Sequence, residues 1–353
     1  MEVIGKTRRK KFNYFVGIDV SKETLDFAVL KNRELLFHEK IQNEPQPIGD
    51  FVGKMKAMEG FKLSKGLFCM ENTGFYCNHL INVFRKSKIN LVVENAVHIK
   101  NSMGLIRGKD DKIDAIRIAR FAQKNCDDLK LWVAERPVMT KLKSLVAMKE
   151  RLLAAKIGLK SPIDEQQSFV TKTLQKDNLI ACKRSIAALE FDILELEKSI
   201  ELLLSDDERL RRLMELVTSV HCIGKITARQ FIICTNEFKD IKEAKKFACY
   251  AGVAPFKKES GKLVFKPRVS HQANKKMKAL LHMCAMVSLQ SDTPLKRYFD
   301  RKTKVDGKSG MLVVNAIRNK LVLRVFACVR QDRPYLKDRL PEAQSCARPG
   351  MKD

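Results

Sequence analysis

The chain has 353 residues and carries 68 Lys and Arg against 41 Asp and Glu, a formal net charge of +27. A chain of this length buries a sizeable core and accommodates two or three domains. The charge excess argues against an ordinary small-molecule enzyme and for a polyanionic partner, most simply nucleic acid. No apolar run approaches the roughly 18 residues of a membrane-spanning helix. Met1–Lys6 lacks the apolar stretch of a signal peptide, so no membrane partner and a cytoplasmic setting are expected.

Taken in order, residues 1–11 form a basic arm containing Lys6, Arg8, Arg9, Lys10 and Lys11. Asn13–Val20, Leu25–Leu30 and Glu34–His38 read as three short strands in an antiparallel meander. A helix is expected near Ile48–Met58 and a buried strand at Gly66–Met70 that ends in Glu71. Another helix is expected over Gly74–Arg85 and a strand over Ile89–Val93, with Glu94 at its end. The helix over 111–125 has an apolar face of Ile113, Ile116, Ala119 and Phe121, and Leu129–Val133 closes the domain. This order of elements looks like the ribonuclease-H-like α/β fold, in which carboxylates gather at one edge of the sheet.

Residues 140–217 read as helical almost throughout, with heptad-like apolar spacing and many flanking charges. They suggest a helical hairpin or coiled coil broken between Gly158 and Pro162 or around Lys176–Asn178. Beyond it, Ile223-Gly224-Lys225 resembles a helix-hairpin-helix turn. A helix over Lys245–Gly252, a loop over 255–262, a strand over Leu263–Lys266 and helices over Asn274–Leu289 and 312–329 follow. Residues 219–335 carry 25 Lys and Arg but only 8 Asp and Glu, so this module should make most of the phosphate contacts. The resulting organisation is a basic arm (1–11), an α/β catalytic domain (12–135), a helical assembly segment (136–218), a mostly α C-terminal domain (219–335) and a disordered tail (336–353). The 10 cysteines are scattered without a Cys-x-x-Cys pair and read as reduced residues, several of them in the core.

Three constellations carry chemistry. Asp19 and Glu71 end predicted strands, and Asp111 and Asp114 share one helix face at i, i+3. Such a cluster suits hard divalent cations, which take oxygen ligands, and two metals about 4 Å apart stabilise a phosphodiester displacement. The alternative is that Asp111 simply favours a helix N-terminus and Asp114 is a solvated surface residue. Asp110 competes with Asp111, Glu94 competes with Glu71, and Asp26, inside a strand, reads as structural. Second, Ser260-Gly261 stands among Lys257, Lys258 and Lys262. On residues alone it is an ordinary turn; a nucleophile is the alternative, with His271 the nearest candidate base in sequence. Third, Lys266, Arg268, Lys275 and Lys276 join the first three lysines in basic runs suited to nucleic-acid backbone. With 1 Trp and 5 Tyr, stacking platforms for single strands are not supported.

Gly17-Ile18-Asp19-Val20-Ser21-Lys22, Glu71-Asn72-Thr73-Gly74 and Lys109-Asp110-Asp111-Lys112-Ile113-Asp114-Ala115 resemble the N-terminal domain of the DEDD transposases of the insertion-sequence 110 family, relatives of the Piv DNA invertases. Ile223–Ala228, Tyr250–Pro255, Ser260-Gly261 and Lys275–Leu281 resemble that family's second domain in the same order. The chain departs from the pattern at Asp110, where the family usually has Thr or another small polar residue. After Ser260 it is also less rich in Gly and Arg than many members. The resemblance implies a RuvC-like first domain, a coiled-coil insert and a small transposase domain. It further implies a Mg²⁺ site, two ions, at Asp19, Glu71, Asp111 and Asp114, and a serine nucleophile that falls on Ser260. The implied partners are double-stranded DNA, a structured guide RNA in some members, and further copies of the chain. The implied activity is DNA cleavage and rejoining, with a junction-resolving nuclease or a non-catalytic nucleic-acid-binding protein as alternatives.

Overall fold

A computed structural model describes residues 12–102, 110–166, 169–261 and 263–336. The basic arm, nearly all of the tail and Lys262 lie outside the described residues. The chain divides into two compact units, residues 1–134 and 135–353.

The first unit is built on five strands. β1 (Tyr14–Val20), β2 (Thr24–Lys31) and β3 (Glu34–Gln42) form an antiparallel meander. α1 (Pro45–Ala57) then crosses to β4 (Gly66–Glu71), and α2 (Asn78–Lys86) to β5 (Leu91–Glu94). β4 runs parallel to both β1 and β5, giving the order β3-β2-β1-β4-β5, a ribonuclease-H-like sheet. Two further helices, α3 (Ala96–Asn101) and α4 (Asp111–Lys124), follow. Trp132 donates its backbone N–H to the Leu91 carbonyl at 2.6 Å and packs on the core, closing the unit where Leu129–Val133 was expected to.

Strand alternation sorts the side chains onto two faces. Val16, Ile18, Phe27 and Phe68 pack on one face with α1 and α2. Phe15, Ala28, Leu67 and Cys69 pack on the other with Ala115, Ile118, Ala119 and Ala122 of α4. Gly17 lies on this second face, and a Cβ there would stand 2.1 Å from the Ala115 carbonyl oxygen and 2.3 Å from the Ala119 nitrogen. The helix backbone therefore rests on the strand itself, at a position only glycine fills without displacing it.

The second unit is helical. α5 (Pro137–Glu165) and α6 (Lys172–Asp206) pack along each other. α7 (Glu208–Thr218), α8 (Lys225–Thr235) and α9 (Ala244–Tyr250) lead to a hairpin of β6 (Pro255–Ser260) and β7 (Leu263–Val269). Three helices end it: α10 (Lys275–Val287), α11 (Pro294–Asp300) and α12 (Gly310–Gln331). Met139 and Leu142 of α5 and Ile200 and Leu204 of α6 share one core with the later helices. Arg136, just before α5, reaches Asp207 at 2.8 Å and Glu237 at 2.7 Å. The Glu237 carboxylate is fully buried and also meets Arg209 and Lys239. Burial works to raise its pKa, but the hydrogen bonds from Arg136 and Lys239 outweigh it and hold the group below its ordinary range.

Three expectations are corrected. The helical hairpin does not break at Gly158–Pro162 or at Lys176–Asn178, because α5 runs to Glu165 and α6 starts at Lys172. Pro162 sits in the last turn of α5, where a missing N–H costs one helical bond and not a run of them. Residues 255–260 form a strand and not a loop, since backbone pairing with β7 supplies what the polar side chains do not signal. The short helices α3 and α11 lie in stretches where no helix was expected.

The contact at Gly17 generates a direct test. Gly17→Ala should lower stability by about 3 kcal/mol or more, since a methyl group there forces α4 off the sheet. Urea denaturation of the purified variant measures this, and a loss below about 0.5 kcal/mol would show that the helix does not rest on the strand.

Candidate active site

The sheet face beneath α4 collects the acidic residues. Asp19, two residues beyond Gly17, ends β1 on this face. Asp26 of β2 stands directly across from it, and Lys40 of β3 directly across from Asp26. On the other side, β1 and β4 pair as far as Ile18 and Met70, which sets Asp19 beside Glu71. Glu71 in turn pairs in register with Glu94 of β5.

α4 brings the remaining two carboxylates. Asp110 is its N-cap and accepts from the Lys112 N–H at 3.1 Å, the usual occupation of a capping aspartate. Capping thus accounts for Asp110, while Asp111 and Asp114 occupy the first turn, over the sheet edge that Gly17 lets the helix approach. Glu94 is likewise engaged elsewhere. It accepts from the Asn95 N–H at 2.8 Å and meets His98 at 3.3 Å.

Asp19, Glu71, Asp111 and Asp114 therefore come together at one sheet edge. An isolated Asp19 would titrate near 3.8, but here its pKa is pushed up to about 6, by burial first, then by Asp111 and Asp114, and then by Asp26 and Glu71. Burial and the nearby Asp114 also raise the Glu71 pKa. The edge thus holds more negative charge than its surroundings neutralise, and its donors are all carboxylate oxygens, the set a hard divalent cation prefers. As the side chains stand, no group of three or more His, Cys, Asp or Glu among the described residues could hold a metal ion. Two of the four are turned to cations of the chain itself. Lys40 Nζ donates to Asp111 Oδ2 at 3.1 Å, and Arg117 donates to Asp114 Oδ1 at 2.7 Å.

Lys40, Asp26 and His38 were not among the expected site residues. Asp26 is buried, meets Lys40 at 3.3 Å and pairs with His38 Nε2 at 2.8 Å. The spacing Asp26, His38, Lys40 becomes informative once the meander register is known, because Lys40, Asp26 and Asp19 then form one row across three strands.

In the second unit, Ser260 is the last residue of β6, paired with Leu263, and Gly261 turns the hairpin with φ +56°. Lys257, Lys266 and Arg268 are exposed on the hairpin and Lys258 lies in β6. Lys275 and Lys276 open α10, with Lys276 paired to Glu150 of α5. His271 is exposed in the turn between β7 and α10.

Residues 16–166 match the family model described as Transposase, that of the IS110 DEDD enzymes, and residues 214–300 match the one described as Transposase IS116/IS110/IS902 family. Together these matches cover well over half of the chain. The chain belongs to the IS110 family of transposases. Among its relatives, the pilin gene-inverting proteins of Moraxella bovis and Moraxella lacunata are each 25% identical over 327 residues, covering 92% of this chain and 98% of each of those proteins. An uncharacterized 43.6 kDa protein of insertion element IS110 from Streptomyces coelicolor is 24% identical over 51% of this chain and 43% of that protein. A solved structure of T. thermophilus RuvC in complex with a Holliday junction substrate aligns over 34% of this chain and 99% of that one, with 14% identity and a TM-score of 0.25. Among the described residues, no helix of this IS110-family chain is long and apolar enough to cross a membrane.

Burial and then crowding at Asp19 set a pH-dependent stability. A carboxyl whose pKa rises on folding stabilises the fold while protonated and loses that contribution as pH climbs through the folded value. With chelator present, wild-type protein should therefore lose stability between about pH 4 and about pH 6, relative to Asp19→Asn. The asparagine variant should be ahead by about 1–2 kcal/mol at pH 7.5, the full shift being discounted for solvent screening, and near parity at pH 4. Calorimetry at the two pH values measures the gap, and a gap that stays constant with pH would show that Asp19 is not crowded.

Proposed function

We propose that this transposase-family enzyme cleaves and rejoins double-stranded DNA with a divalent-metal carboxylate centre and a serine nucleophile. The observation that carries the proposal is the convergence of Asp19, Glu71, Asp111 and Asp114 at the α4 edge of the sheet, where burial and the neighbouring carboxylates push the Asp19 pKa up to about 6. Asp19, Glu71, Asp111 and Asp114 would hold the cations, two Mg²⁺ on the family pattern. Bound there, such ions supply Lewis-acid stabilisation of the attacking and leaving oxygens of a phosphodiester. To hold a cation, Asp111 and Asp114 would have to leave their contacts with Lys40 and Arg117, and Asp19 would have to be ionised, so metal affinity should weaken below about pH 6.

Ser260 supplies the hydroxyl. Its oxygen bonds to phosphorus while the bond from phosphorus to one strand end breaks, and the departing oxygen takes a proton. Attack by a strand-end hydroxyl on the serine phosphodiester reverses the step and rejoins DNA. The exposed Lys257, Lys266 and Arg268 of the hairpin, with Lys258 and Lys262 close to Ser260 in sequence, would neutralise the backbone around it.

Assembly between copies of the chain rests on the helical pair. Met148, Ile157, Ile180, Phe191, Leu194 and Leu202 of α5 and α6 are exposed, an apolar area that a second chain would cover. Use of a structured RNA guide would be seen as RNA that co-purifies with the protein and whose digestion stops recombination.

A plasmid recombination assay with Mg²⁺ tests the scheme. Asp19→Asn and Ser260→Ala should each reduce strand exchange by at least about 10³-fold while leaving DNA binding intact. Phe191→Glu should reduce the sedimenting mass. Full activity of Ser260→Ala would replace the serine by water as nucleophile, and full activity of Asp19→Asn would remove the carboxylate centre from the reaction.

A further inference from the structure

α12 carries a buried positive charge that nothing among the described residues neutralises. Arg318 is 7% exposed, and its Nε is fully buried without a hydrogen-bond partner. Among the described residues no carboxylate pairs with it. Neither α12, which carries it, nor α10, which packs against α12, contains an Asp or Glu, whereas together they carry seven Lys and Arg. An unpaired buried charge costs several kcal/mol on the order of magnitude known for buried ions, and burial accordingly lowers the Arg318 pKa.

Arg318 makes a side-chain hydrogen bond with His282 of α10, whose Nδ1 lies 2.7 Å from the guanidinium Nη2. A guanidinium has only protons to give, so Nδ1 must accept. The neutral imidazole then carries its proton on Nε2, a second donor. Burial, and then the adjoining guanidinium, lower the His282 pKa and hold the ring in this neutral form. His282 is only half-buried, so the pair opens to the surface.

The pair also lies at the root of the β6–β7 hairpin. Asn315, one turn before Arg318 on α12, donates to the Val253 carbonyl at 2.8 Å. Next to it, Gly252 has φ +64°, and a Cβ there would meet the Lys278 side chain at 3.6 Å. Lys278 is itself one turn before His282 on α10. Both helices thus hold the segment that leads into β6.

We infer that Arg318 and His282, with Lys278 beside them, form a phosphate-binding site for the backbone of a nucleic acid. The guanidinium supplies the charge and His282 Nε2–H a second hydrogen bond. From Pro255 to Ser260 a strand spans about 17 Å, so the phosphate held here flanks the one that Ser260 would attack. The inference rests on the nucleic-acid reading of this module but needs no catalysis.

Two measurements on the full chain test it, each with wild type, Arg318→Met and His282→Ala. First, inorganic phosphate is titrated against thermal stability at constant ionic strength. Wild type should gain in melting temperature, His282→Ala should gain less, and Arg318→Met should gain nothing while being at least as stable as wild type without phosphate. Second, the salt dependence of binding is measured for a DNA duplex and for an RNA hairpin. Arg318→Met should lower the log–log slope by about one for the nucleic acid that occupies the site. A loss with DNA assigns the site to substrate, and a loss with RNA assigns it to a guide strand. An unchanged phosphate response in a destabilised Arg318→Met would make the arginine a packing residue and overturn the inference. So would a lost phosphate response with both slopes unchanged, since the site would then take free phosphate only. His282→Ala preserves the test if Arg318→Met fails to fold. Retained cleavage by any of these variants bears on neither outcome, which separates this inference from the catalytic proposal.

Discussion

The first unit depends on one contact, the seating of the α4 backbone on Gly17. Without a side chain at that position, the carbonyl of Ala115 and the amide of Ala119 come within bonding-scale distance of where a Cβ would stand. The closeness fixes how near the N-terminal turn of α4 comes to the end of β1. Strand alternation puts Asp19 on the same face as Gly17, and the parallel register puts Glu71 beside it. Asp111 and Asp114 are then held near two carboxylates that repel them. The sheet and the helix supply the packing energy that keeps this charge together, and burial, with the neighbouring carboxylates, pushes the Asp19 pKa up.

The chain answers that charge in part from its own residues. Lys40 sits between Asp26 and Asp111, and Arg117 holds Asp114. Both are long side chains in partial contact with solvent. The second unit contains the opposite arrangement. Glu237 is surrounded by Arg136, Arg209 and Lys239 inside the helical core, a balanced network that ties the start of α5 to the bundle. Arg318, in the same unit, has no such balance among the described residues.

The parts of this architecture carried by local pattern were readable in the sequence. The apolar runs around Asp19 and Glu71 specified strands, the meander followed from short connections, and the 3.6-residue period of 111–125 specified α4. Asp111 and Asp114 were readable as one face, although only the N-cap bond of Asp110 explains which of two adjacent aspartates is left over for the site. Lys40 and His38 were not readable, because their relation to Asp26 and Asp19 is a matter of register across three strands. The strand at 255–260 was hidden by its Pro, Lys, Glu and Ser content, since backbone pairing to β7 and not side-chain pattern makes it a strand. An arginine on a helix would ordinarily reach out to solvent; the burial of Arg318 depends on how α10 packs against α12, which sequence periodicity does not give.

The central claim is that the carboxylate edge of the first unit and Ser260 of the second act in one reaction. Mass spectrometry of the protein trapped on a suicide DNA substrate in the presence of Mg²⁺ tests it most directly. The account predicts a covalent nucleotide on Ser260 that is absent from Asp19→Asn and absent when the metal is chelated. Cleaved DNA with no nucleotide on the protein, or an adduct that forms equally well in Asp19→Asn, would contradict it.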